Sequence, residues 1–282
     1  SLAEIELVER RMQRLRAREG HLLRLDRLFL SRGIHLSLTL PIFALALQLF
    51  SRRYARGSPD WWISSVEASL PDATLTMVSG LLGVIVLMAW LVPILFAYIV
   101  PGVGTNILGV WEFNTEFRLG KFRPHHGFVF GSATSIIIWV CHRHIAHDLM
   151  DVVVFGIVAA TVLGSVNFFY EPKAIESGFL KVYNQPWADG KGPVEITIDY
   201  APWTFGGFGF IYGTGIALSE ILFFNWSGSS WFPFLYFVLF LSISIIFPII
   251  GYRNHSFKTH GHSGFKPIKS DTLKVKQLFS NR

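Results

Sequence analysis

The chain has 282 residues, of which 51% are hydrophobic, 15% aromatic and 16% charged, with a formal net charge of +6 and a mean hydropathy of +0.42. A soluble domain carries about 25% charged residues, so this composition excludes an ordinary water-soluble enzyme and describes a chain dissolved mainly in lipid. The lone cysteine, Cys141, excludes an intrachain disulfide and a cysteine-rich zinc or iron–sulfur site, and its apolar setting reads as a small core residue.

Residues 1–32 are strongly charged and contain no short apolar core followed by a small-residue cleavage site. The expectation is therefore an uncleaved first anchor and no cleavable signal peptide. Ile5, Val8, Met12 and Leu15 follow a 3,4,3 spacing beside a dense arginine face. That pattern predicts an amphipathic helix lying on anionic headgroups. A partner-binding coiled-coil seam is the other reading, although Glu19 falls on that seam. Acids interleaved with the arginines argue against nucleic-acid binding.

Six candidate membrane spans follow, at about 33–50, 72–100, 127–147, 150–170, 204–224 and 231–252. The first is short. The second contains Pro93, which removes a helix hydrogen bond and predicts a kink. Spans three and four are joined through residues 142–148 so tightly that they read as an antiparallel helical hairpin. After the first span, Trp61 and Trp62 predict a short interfacial helix. Between spans four and five, Val194, Ile196, Ile198 and Tyr200 alternate with Glu195, Thr197 and Asp199, the period-two signature of a strand. With "ADGKG" before it, this segment reads as a small cytoplasmic hairpin.

The fold class expected is thus an all-α integral membrane protein in three parts: a basic amphipathic helix over 1–32, a six-helix domain over 33–252 and a basic tail over 253–282. With a cytoplasmic N-terminus, 21 of the 25 Lys and Arg residues fall on the cytoplasmic side. The four left outside are Arg52, Arg53, Arg56 and Arg143. Such a bias predicts an inner (cytoplasmic) membrane location with both termini cytoplasmic.

Five of the ten histidines lie in "PHHGFVFGSATSIIIWVCHRHIAHDLMD", residues 124–151. A haem held between helices needs axial histidines from two of them at similar depth, a demand that His35 with His125 or His126 could meet. A metal site is a separate reading. His144, Asp148 and Asp151 are spaced i, i+4, i+7, and imidazole with carboxylate suits Zn, Fe or Mn. The alternative is a polar loop meeting water and headgroups. Glu220, inside the fifth span, is an intramembrane carboxylate and so a functional candidate. It joins His144, His147 and Asp148 as a proposed metal site or proton relay, or else pairs with Arg143.

Gly209 and Gly213 sit at small-xxx-small spacing, which predicts close helix packing. No P-loop, HExxH, GxSxG or clustered HxxHH pattern occurs. Three functional readings follow. The first is a non-catalytic subunit of a larger inner-membrane assembly, energy-converting or secretory, whose partners are other membrane subunits and anionic lipid headgroups. The second is a membrane redox protein or enzyme binding a metal or haem through His, Asp and Glu. The third is a small proton-coupled transporter built around Glu220.

Overall fold

The computed structural model describes residues 81–114, 120–176, 178–223 and 231–268, together with Leu45 and Leu49. The expectations for residues 1–32, His35, Trp61 and Trp62, and residues 269–282 lie outside the described residues. So does most of the first span, of which Leu45 and Leu49 are helical.

Helix α1 (Leu81–Asn106) is an uncharged apolar run containing Pro93 and Pro101. Strand β1 (Trp111–Phe113) follows. A π-helical turn, Gly127–Gly131, leads into α2 (Ser132–Cys141). Helix α3 (Leu149–Glu176) precedes β2 (Leu180–Val182), which pairs antiparallel with β1 so that Trp111 faces Val182. The short α4 (Gln185–Ala188) and then α5 (Pro193–Ala201) come next. A second π-helical stretch, Pro202–Gly207, joins α5 to α6 (Phe208–Phe223), and α7 (Trp231–His260) is the last helix described.

Among the described residues four helical runs are long and apolar enough to cross a membrane: Leu87–Asn106, Leu149–Glu176, Pro193–Phe223 and Trp231–His260. The architecture is that of a mostly helical membrane protein. The third expected span, 127–147, ends its helix at Cys141, and Gly127–Cys141 falls short of the roughly 20 residues a crossing helix needs. The last helix continues past residue 252 to His260.

The expected strand at 194–200 is a correction. It is helix α5, with Gly192 at the N-cap, Pro193 in the first turn and Glu195 near the positive end of the helix dipole. Ile196 and Tyr200, one turn apart, are buried together, while Val194 and Ile198 face outward. The only sheet among the described residues is instead the β1–β2 ribbon, drawn from segments the period-two signal did not mark.

The helices α1 and α6 sit centrally, with about half of each apolar window buried against 22% for α3 and α7. Their shared core holds Ile85, Met88, Val92, Ile138, Tyr212 and Ile216. The Tyr212 hydroxyl donates to the Ala89 carbonyl, and Tyr236 donates to Gly215 O at 2.6 Å. Gly209 and Gly213 perform the packing their spacing predicts. A Cβ at Gly209 would lie 2.7 Å from Ala159 O, and one at Gly213 2.8 Å from Phe155 O, so α6 meets the backbone of α3 directly.

Successive runs alternate in direction and define two ends. One carries the ribbon, the C-termini of α1, α3 and α7, and the start of α5. The other carries residues 142–148, the end of α6 and the start of α7.

Candidate metal centre

Helix α5 and the last two turns of α7 converge at the ribbon end. Asp199, on the buried face of α5, has a side chain only 3% exposed. His260 Nε2 lies 2.7 Å from Asp199 Oδ1, and His255 Nε2 lies 3.4 Å from the same oxygen. The candidate ligand atoms of all three residues lie within 4.8 Å of one another. Among the described residues this is the one such group of three or more metal-ligating side chains. The two imidazoles are 30% and 18% exposed, so the group is reachable from outside.

Neutral donors hold the second carboxylate oxygen. Asn184 Nδ2 donates to Asp199 Oδ2 at 3.0 Å, and the Tyr252 hydroxyl donates to it at 3.2 Å. Asn184 is itself fixed, because its Oδ1 caps α4 by accepting from Trp187 N and its Nδ2 also reaches the Ile196 carbonyl. Metal-ligating carboxylates are oriented by such outer partners. Beyond the helix, Gly261 at φ +76° lets the chain leave α7 in a conformation that side chains disfavour. The chain then folds back: Gly264 N donates to His262 Nδ1, so His262 carries its proton on Nε2 and donates it to Gln185 Oε1 at 3.1 Å. His262 is thereby an orienting residue stacked on His260, with ring centroids 5.9 Å apart. Further on, Ile268 N donates to the Tyr183 carbonyl, which ties the returning segment to the site's floor. Burial and the neighbouring Glu112 push the Tyr183 phenol up to about 12, so it stays a donor, 2.8 Å from Glu112 Oε2.

A second polar grouping lies one residue further along α5. The Tyr200 hydroxyl donates to Glu171 of α3, and both side chains are buried. They line a cavity of about 90 Å³ shared with Arg123 and His126. The Arg123 guanidinium is 4.2 Å from the Phe179 ring centroid and 4.9 Å from that of Phe113, and it stands 3.4 Å from His126 Nδ1. Burial, reinforced by the Arg123 and His125 charges, holds His126 well below its ordinary range. Since an arginine only donates, Nδ1 of His126 accepts and the ring proton sits on Nε2. A haem ligand presents a free Nε2, so the resting tautomer of His126 is the opposite of the one that role uses. The proposed partner His35 lies outside the described residues.

The other expected metal residues fall into two places. His144 Nε2 pairs with Asp151 Oδ1 at 3.0 Å on the surface, while Asp148 Oδ1 accepts from Asp151 N and Asp151 Oδ2 accepts from His147 N. These side chains build the N-terminal cap of α3. Glu220 lies apart from them. Its Oε1 is 2.8 Å from His142 Nε2 and its Oε2 accepts from Ala146 N at 2.8 Å, with both side chains at most 1% exposed. Arg143, the partner expected from sequence, is exposed.

The signal for the centre was present as "HSFKTHGH", three histidines in eight residues at the end of the last span. It is hidden by assigning 253 onward to a tail and Asp199 to a strand. Comparison with protein-family models, with curated proteins and with solved structures finds no match for this chain.

Proposed function

We propose that the chain is a membrane-embedded enzyme that works with a divalent transition metal held by Asp199, His255 and His260. The observation that carries this reading is the convergence of two imidazoles and one carboxylate on one accessible point. Two histidines and a carboxylate form the donor set of catalytic zinc and non-haem iron sites, which leave positions open for water or substrate. A metal there supplies Lewis-acid activation of a bound group. The chain's own contribution is to fix Asp199 through Asn184 and Tyr252 and to shield one side of the site with residues 261–268.

The fuller topology belongs to the same proposal. Six crossings, with the short Gly127–Cys141 helix and the connection after it counted as the third, would put both termini and the metal centre on the cytoplasmic side of an inner membrane, a reading supported by the bias of Lys and Arg toward the segments at the ribbon end. Anionic headgroups then lie beside the centre. The readings as a non-catalytic subunit or a Glu220-based carrier are the competitors, and neither needs a metal at Asp199.

The test is an optical titration of the purified full chain with Co²⁺, whose d–d bands report coordination, alongside metal analysis after exposure to Zn²⁺ or Fe²⁺. The expected result is one equivalent bound, lost in the His255→Ala, His260→Ala double variant. Absence of stoichiometric binding, or binding indifferent to that double substitution, returns the field to the subunit and carrier readings.

A further inference from the structure

A cavity of about 300 Å³ lies against the metal centre, between α1 and α7. Its walls are Ile99, Val100 and Val103 of α1 and Ile245, Pro248 and Ile249 of α7, and Phe265 of the returning segment also lines it. Its few polar residues are committed. Thr204 Oγ1 donates to the Tyr200 carbonyl, and the Tyr200 hydroxyl is turned to Glu171 in the neighbouring cavity. Asn184 and Tyr252 both direct their polar atoms at Asp199, and Trp111 adds one indole to the lining. The cavity is therefore apolar along its length, and at one pole it ends on Asn184 and Tyr252, which separate it from Asp199 directly behind them.

Its rim shows where an occupant enters. Ile99 and Val103, one turn apart on α1, are both exposed while lining the cavity. They belong to the run long and apolar enough to cross a membrane, so the opening meets hydrocarbon. A volume of this size is at the lower end of ligand pockets, about 300–1,000 Å³. It suits one chain and is small for a two-chain lipid.

We infer that this cavity binds a single hydrocarbon chain entering sideways from the bilayer, with its polar head at the Asn184 and Tyr252 pole, from which it reaches the Asp199, His255 and His260 centre past those two side chains. The head placement rests on the metal reading above; the chain binding does not. The substrate class is thus a single-chain amphiphile whose reactive group is at or near its head.

The experiment uses the full chain in lipid nanodiscs with trace amounts of a long-chain hydroxamic acid or the matching alcohol, each bearing a mid-chain diazirine. Irradiation and peptide mass spectrometry map the label. Labelling is expected at Val103, Ile249 and Phe265 above the background at Trp231 and Phe234, which face outward at the other end. Val103→Trp, and separately Ile249→Phe, should each lower cavity labelling by about tenfold or more by filling the space, with the Trp231 face labelled as before to show that the chain is folded. Added Co²⁺ should raise labelling by the hydroxamate but not by the alcohol, and the His255→Ala, His260→Ala variant should abolish only that rise. Cavity labelling no greater than background, or unchanged in both filled variants, overturns chain binding even if metal binds. Cavity labelling that persists without any metal effect leaves chain binding standing and overturns the head placement, while the metal reading stands or falls on the Co²⁺ titration of the purified chain.

Discussion

Two groupings of histidine with carboxylate sit at opposite ends of the bundle and differ in almost everything except composition. Glu220 and His142 are sealed, at most 1% exposed, and the second oxygen of Glu220 is taken by the Ala146 backbone. Asp199 is equally buried, yet it faces two partly exposed imidazoles, and its second oxygen is held by the neutral groups of Asn184 and Tyr252. The first arrangement fastens the 142–148 connection onto the end of α6. The second brings two partly exposed imidazole nitrogens and one carboxylate oxygen within 4.8 Å of one another. Burial of a carboxylate in a membrane protein therefore does not mark a site by itself; convergence of several donors with access does.

That contrast can be broken most severely at the open group. Replacing both His255 and His260 with alanine should abolish stoichiometric Co²⁺ binding, with some loss of thermal stability because the buried Asp199 Oδ1 loses both imidazole partners. Next in size, Glu220→Ala should cost about 3–5 kcal/mol of stability by stranding a buried partner, with metal stoichiometry unchanged. Replacing the pair together, Glu220→Leu with His142→Phe, should recover much of that loss in the same melting experiment. If Glu220→Ala instead removes the metal and spares stability, the roles assigned to the two ends are reversed.

Smaller effects sharpen the picture. Asn184→Ala or Tyr252→Phe should weaken metal affinity by about 10–100-fold without changing stoichiometry, as read by competition with a chelator. The smallest effect concerns His126. Its folded pKa lies well below the unfolded value of about 6.5, so the unfolded chain takes up a proton first as pH falls. The stability present above about pH 6.5 is then lost progressively below it. His126→Gln should flatten the fall in melting temperature between about pH 7 and 5; an equally steep fall would remove His126 as its source.

The apolar runs were legible in the sequence because transfer of a whole helix into lipid outweighs local detail, and the runs in α1, α3, α6 and α7 lie close to where hydropathy puts them. The short polar stretches were not. Over "VEITIDY" the alternation fits a strand as well as a helix, and the Gly192, Pro193 and Glu195 start signals decide for the helix only when weighed together. The last two turns of α7 escape a hydropathy window because a helix needs satisfied backbone bonds, not apolar side chains, to continue. His142 and Arg143 are neighbours, and which of them turns inward depends on the path of the connection, which spacing does not encode. Asp199 meets its histidines across sequence separations of 56 and 61, a juxtaposition that only the tertiary fold creates.

The π-helical stretch Pro202–Gly207 acts as a phase setter for the centre. Pro202 has no N–H to give, and the widened turn it opens carries one residue more than an α-helix would. Each residue turns a helix by about 100°. Trimming that stretch to regular α-helix would thus swing Asp199 roughly a quarter turn around the axis and out of its present register with His255 and His260, while α6 kept its glycine contact with α3. The alignment of the donors is in this sense clocked by a wide turn that begins three residues after Asp199, so insertions or deletions there should be tolerated by the bundle and not by its chemistry.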